Sequence, residues 1–179
     1  ANGRPAPKPS EPATAKPPKV YGTENEAIGA LLHSVRKEKG KAWNVAGGGW
    51  KPYRDAAGEI VLGVVRFEDG NGEKTFRQFS RQGDGWITKG LPSGIPPFRL
   101  VELDKNKLLV VVEGEKACDA AWEIGLQSTT WAGGAKAVGK TDWSLLSGFD
   151  VVDHGIDLDS ITGRQEDAFL DPGIGTQTS

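Results

Sequence analysis

The alternation of apolar and polar residues changes character three times along the chain. Residues 1–20 mix Pro, Ala, Lys and Ser with no hydrophobic period, which predicts a disordered linker drawn locally toward polyproline II. Ala27, Ile28, Leu31, Leu32 and Val35 then recur at helical spacing. Thr23-Glu24-Asn25-Glu26 ahead of them has the capping-box spacing, with Thr23 as N-cap and Glu26 reaching back to it, and Gly40 is a natural stop. An amphipathic helix is therefore expected. Arg36, Lys37 and Lys39 in its last turn suit the helix dipole, and His33, with no second His or Cys nearby, reads as structural.

From Trp43 to Leu91 the period shortens to that of strands. Lys51–Arg54, Ile60–Glu68, Lys74–Arg81 and Trp86-Ile87-Thr88 are separated by Asp55-Ala56-Ala57-Gly58, Asp69-Gly70-Asn71-Gly72 and Gln82-Gly83-Asp84-Gly85. Turn chemistry of that kind between alternating segments predicts an antiparallel meander. Trp50, Tyr53, Phe67, Phe76, Phe79 and Trp86, interleaved with Arg66, Arg77 and Arg81, are a base-stacking set in composition. A small sheet also needs large rings to bury a face, so most of these are expected in the core, with one or two exposed. The proline-bearing residues 92–107 connect this module to the next.

The third regime starts at Leu108-Leu109-Val110-Val111-Val112, an apolar run that predicts a strand buried on both faces. It stops abruptly at Glu113-Gly114. Glu115 to Ile124 then reads as a helix, with Ala117, Ala120, Ala121 and Ile124 as its packing face and Cys118 and Trp122 at the margins. Gln127–Trp131 predicts a second short strand, followed by Gly133-Gly134, where the backbone can approach a neighbour closely. Thr141–Leu146 predicts a short helix and Phe149–Val152 a third strand, with Asp153, Asp157 and Asp159 directly beyond. Strands alternating with helices predict a small parallel α/β sheet. Glu113 would then stand at a strand's carboxyl end, where open α/β sheets gather ligands.

Charge sharpens this division. Residues 1–107 hold 18 Lys and Arg against 12 Asp and Glu, and residues 108–179 hold 4 against 12, within an overall net charge of -2. So even a total argues against binding nucleic acid through bulk charge, yet a basic front half is joined to an acidic back half. One cysteine excludes an intrachain disulfide framework and a cysteine-rich zinc site, and fits a reducing, cytoplasmic setting. No apolar run is long enough for a membrane span. With no methionine in its 179 residues, the chain reads as a processed product or a piece of a longer protein. If Glu113 meets Asp157 and Asp159 at neighbouring strand ends, three hard oxygen donors suit Mg²⁺ or Mn²⁺, the ions of phosphoryl chemistry.

Val112-Glu113-Gly114-Glu115-Lys116, then Gly133-Gly134, Thr141-Asp142-Trp143 and an Asp157-Leu158-Asp159 with Gly163-Arg164 behind it, resemble the Toprim domain of phage- and plasmid-type DNA primases and primase-helicases. The resemblance implies a compact Rossmann-like parallel sheet spanning about 107–170, preceded by a helix and β module at 21–106 and followed by a flexible tail at 171–179. It implies Mg²⁺-dependent primer synthesis on single-stranded DNA from nucleoside triphosphates, in a bacterial or phage-infected cell, with a helicase domain or subunit as partner. Glu113 matches the family's acid/base Glu, which also borders the metal, and Asp157 and Asp159 match its metal pair. Lys116 matches a basic position, and Lys136, Lys140, Arg77 and Arg81 are the further phosphate candidates. The same acids serve a Toprim nuclease, and a module that kept the fold without the site would only bind. Beyond Val152 the match departs: Asp153-His154-Gly155-Ile156 intervenes where relatives pass straight into Asp-x-Asp, and the helix and strand that complete such a domain have no counterpart pattern.

Overall fold

The computed structural model describes residues 17–40 and 42–153. Asp157, Asp159, Gly163, Arg164 and the expected tail lie outside the described residues, as does most of the expected linker.

Helix α1, Glu24–Lys39, opens as its sequence demands. Thr23 Oγ1 accepts from the Glu26 amide at 3.2 Å, but Glu26 Oε2 takes the amide of Gly22 at 2.8 Å rather than that of Thr23. The reciprocal cap is thus offset by one residue, because the extended N-cap turns the preceding amide toward the helix. Gly40, at φ 70°, closes the helix by donating its amide to Arg36 O at 3.0 Å. Arg36 also fastens the exit, with Nε donating to Trp43 O at 2.8 Å and a second nitrogen to Asn44 Oδ1 at 2.9 Å.

Four antiparallel strands follow in sheet order, β1 (Asn44–Arg54), β2 (Ile60–Glu68), β3 (Lys74–Gln82) and β4 (Gly85–Ile87). Asp55 Oδ1 accepts the amides of Ala57 and Glu59, and Asp69 Oδ1 those of Asn71 and Glu73. Each turn is thereby closed by its own aspartate. Residues paired directly across an antiparallel ladder share a face. Val65, Phe67, Phe79 and Trp86 fall on one face and pack on Ala27, Leu31 and Val35 of α1. Tyr53, Leu62 and Val64 fall on the other and meet the second module, contacting Ile95, Phe98, Cys118 and Ala132.

That module is a three-stranded parallel sheet of order β6-β5-β7, built from β5 (Leu109–Val111), β6 (Ser128–Thr129) and β7 (Val151–Asp153). Helix α2, Glu115–Glu123, links β5 to β6 and packs toward the antiparallel sheet. The return to β7 runs through 3₁₀ turns at Ala135–Lys140 and Trp143–Leu146, against Leu109 and Val111 on the opposite face. The molecule is therefore layered: α1, antiparallel sheet, α2, parallel sheet, 3₁₀ turns.

Three expectations are corrected. The packing face of α2 is not Ala117, Ala120 and Ile124, which are all exposed, Ile124 by 74%. Cys118 is the buried residue, flanked by partly buried Glu115, Ala121 and Trp122, so the helix is rotated toward the polar contacts described below. The three parallel strands are shorter than their apolar runs and the last is displaced to Val151–Asp153. The predicted helix at Thr141–Leu146 is a 3₁₀ turn, with Asp142 Oδ1 accepting from the Ser144 amide at 3.1 Å. Gly133 behaves as expected: a Cβ there would lie 2.8 Å from both Ala137 and Leu91.

Candidate functional site

At the carboxyl end of β5 the chain is held by its neighbour before it turns. The Val112 amide donates to Thr129 O at 3.0 Å, and the Gly114 amide to Thr130 Oγ1 at 2.9 Å. Gly114 has φ 86°, a conformation that side chains rarely adopt, and starts α2 directly from the strand. Ser128, Thr129 and Thr130 are fully buried. Their hydroxyls are satisfied, with Thr129 Oγ1 donating to Phe98 O at 2.6 Å and Ser128 Oγ to Cys118 O at 3.0 Å. Polar residues thus form the end of edge strand β6 and fix the loop that carries Glu113.

Glu113 projects from that loop exposed, and among the described residues its carboxylate has no hydrogen bond or ion pair. Val111 pairs with Asp153 across the ladder, so the carboxyl ends of β5 and β7 lie side by side. The strand order reverses at β5, which makes the crevice between β5 and β7 a topological switch point. Asp157 and Asp159 follow Asp153 by four and six residues in sequence and fall outside the described residues. Among the described residues no three Asp, Glu, His or Cys side chains come together as a metal site.

Two residues after Glu113, Glu115 has a different environment. Tyr53, fully buried on β1, donates its hydroxyl to Glu115 Oε1 at 2.7 Å. Burial raises the tyrosine's pKa strongly, and the adjacent Glu115 charge and hydrogen bond raise it further, so the phenol stays a donor. A second tie lies one turn on. Asp119 accepts from Lys51 of β1 at 2.7 Å and from Arg99 at 2.9 Å. Arg99 also forks onto Glu102 at 2.8 and 3.0 Å, and its guanidinium lies 4.5 Å from the centre of the Trp122 ring. It is the one non-glycine residue with positive φ among the described residues, at 61°. Burial works against its charge, but Glu102 and Asp119 outweigh that and raise its pKa. α2 is thereby fastened to the antiparallel sheet by charged groups at half-buried positions.

The phosphate candidates do not gather in one place. Lys116 is exposed on the first turn of α2, near Glu113 in sequence and on the wall of a cavity between α2 and the sheet. Arg77 and Arg81 lie on the α1 face of the sheet, opposite the face that meets α2. Arg77 is paired with Glu38 at 2.8 Å, and Arg81 lies 3.9 Å from Glu59 and over the Trp86 ring. Lys140 donates to Leu91 O at 2.8 Å, while Lys136 is exposed on the 3₁₀ turn behind the parallel sheet. The sequence does not single out Glu115, Lys51 or Asp119 as site residues, and it offers Tyr53 only as one ring of the stacking set. The Glu113-x-Glu115 spacing was the available signal for one of them, and the others needed the contact between modules.

Compared with known proteins, the chain matches no family model, no curated protein and no solved structure.

Proposed function

We propose that this chain is the Toprim-like nucleotidyl-transfer segment of a primase-type replication protein, acting on single-stranded DNA and nucleoside triphosphates. The observation that carries the reading is the position of Glu113. A carboxylate without a partner among the described residues stands outside the carboxyl end of the central strand of a β6-β5-β7 parallel sheet, at its switch point. The motif order Glu113-Gly114, Gly133-Gly134, Asp157-x-Asp159 agrees with that placement.

The donors suit a hard divalent cation. Glu113 has both oxygens free among the described residues, and Asp157 and Asp159 would complete the set from the chain that follows β7. Mg²⁺ bound there would supply neutralisation of phosphate charge. Glu113 itself accepts the proton of an attacking sugar hydroxyl, and its freedom from other partners leaves it able to do so. Lys116 lies three residues on and offers a cation to a phosphate oxygen. Tyr53, Lys51 and Arg99 hold α2, and with it the Glu113 loop, in a fixed orientation.

Primer synthesis on single-stranded DNA with Mg²⁺ tests this. The expected result is synthesis by the wild-type chain and a loss of at least about 100-fold in Glu113→Gln, the range of general acid–base contributions. A nicking assay run alongside identifies a nuclease instead. Equal synthesis by Glu113→Gln and wild type would sink the proposal.

A further inference from the structure

We infer that the open end of the antiparallel sheet is a nucleotide-stacking subsite, with Phe76 carrying a base and Lys74, Arg66 and Lys116 its phosphates. This goes beyond the role of Glu113 and shares with that reading only Lys116, as a phosphate contact.

One ring of the sheet is out of place. Tyr53, Phe67, Phe79 and Trp86 on the same sheet are at most 3% exposed, whereas Phe76 is 48% exposed in the interior of β3. It shares a face with Tyr53 and Leu62, but α2 covers only their end of that face. Strand β1 does not cover the other end. Its register jumps from Val45 opposite Phe67 to Trp50 opposite Val65, so four residues of β1 bow out opposite the single residue Arg66. Three of the four are Gly47, Gly48 and Gly49, the last two at φ 93° and 69°, and a Cβ on any of them would meet nothing within 4 Å. Gly48 and Gly49 are required by backbone conformation, and all three glycines leave the floor bare.

A cavity of about 350 Å³ results, with Phe76, Arg66 and Lys74 on its sheet side and Lys116 on its α2 side. That volume lies at the small end of ligand sites and has room for about one nucleotide. Arg66 stands directly across the ladder from Phe76, and Lys74 is two residues along on the same face. Lys74 and Lys116 have no ion pair or hydrogen bond among the described residues. Among the described residues Arg66 has one long contact, 3.3 Å to half-buried Glu68, and its Nε has no partner, so little holds the guanidinium from turning to a phosphate. The acids on the same wall are already committed: Glu115 to Tyr53, and Asp119 to Lys51 and Arg99. The uncommitted charge is therefore positive, around one accessible aromatic face. A base with its phosphate has that complementarity, and an apolar peptide does not.

The test is binding of fluorescein-labelled dT12 to the full chain by anisotropy in EDTA, with ATP as competitor. Phe76→Ala is expected to weaken binding at least about fivefold, and Phe76→Trp to retain it. Lys74→Ala and Lys116→Ala should each lower the slope of log affinity against log salt by about 0.7. Displacement by millimolar ATP identifies a free nucleotide as an occupant, and its failure identifies the strand. Phe76→Ala binding as tightly as wild type overturns the inference, as does a wild-type chain that binds neither ligand. Unchanged salt slopes in both lysine variants overturn the phosphate contacts independently of how the Phe76 variant folds. Glu113→Gln should bind normally. Binding without synthesis therefore defeats the catalytic reading alone, and synthesis without a Phe76 effect defeats this one alone.

Discussion

The two sheets of this protein are built to opposite rules. The antiparallel sheet has strands of 11, 9, 9 and 3 residues, its first two hairpin turns closed by their own aspartates, and a ring-rich core under α1. The parallel sheet has strands of 3, 2 and 3 residues, and its edge strand buries Ser and Thr in place of aliphatic groups. One is stabilised by area removed from water, which scales with buried rings. The other has a smaller apolar core, Leu109, Val111, Trp131, Trp143 and Leu146, and adds satisfied hydroxyls and charged ties, which contribute little net energy but fix direction. Apolar burial suits a scaffold. Directional bonds fix the loop that carries Glu113.

The largest effect that tests this contrast is Phe79→Ala. Phe79 is fully buried between Trp50 and Trp86, with ring centroids 5.1 and 5.2 Å away. Truncation should cost about 3–5 kcal/mol by chemical denaturation. Amide exchange in wild type should also show Leu62–Phe67 protected longer than Leu109–Val111. Slower exchange in the parallel strands would reverse the assignment of scaffold and site.

Next is Tyr53→Phe, which removes the hydroxyl that spans the two modules. Glu115 would lose its donor at a half-buried position, and the expected loss is about 1–3 kcal/mol. If the tie positions α2, primer synthesis should fall more than stability accounts for. An activity that tracks stability alone would make Tyr53 merely structural. A smaller loss, about 1 kcal/mol, is expected for Thr23→Ala, which removes the cap of α1 and should leave the parallel module's exchange unaltered.

The last prediction concerns alkaline pH. Burial pushes the Cys118 thiol up to about 11, outweighing the hydrogen bond with Ser128 that works the other way. Tyr53 is raised as well. For both groups the folded pKa exceeds the unfolded one, so their contribution is fully present below pH 9 and is lost as pH rises through the folded value. Stability should therefore decline from about pH 9 upward, and less steeply in Tyr53→Phe. At pH 8 a thiol reagent should modify Cys118 only as the chain unfolds. Rapid modification of the native chain would contradict its buried place on α2.

Local chemistry made the antiparallel half legible. The strand Ile60–Glu68 falls where its alternation puts it, and Thr23 and Gly40 bound α1, because hairpins and caps are decided within a few residues. The parallel half was legible in kind and order but not in extent. Its strands are paired across crossovers, and their length is set by what covers them. The face of α2 could not be read from Ala117, Ala120 and Ile124, because the helix turned to place Cys118, Asp119 and Trp122 against a sheet encoded 60 residues earlier. Arg77 and Arg81 were legible as cations among aromatics, but the side of the sheet they occupy follows from its register against α1.

The sequence by itself determined a capped helix, a meander, an α/β segment and a Glu placed just past an apolar strand, since each depends on near neighbours and on the period of side chains. Tertiary structure alone decided that Glu115 belongs to Tyr53, that Asp119 is shared by Lys51 and Arg99, and that Phe76 is the exposed ring of the antiparallel sheet. Those outcomes depend on which surfaces meet and where a glycine-rich strand bows away from its partner. No residue's neighbours in sequence carry that information.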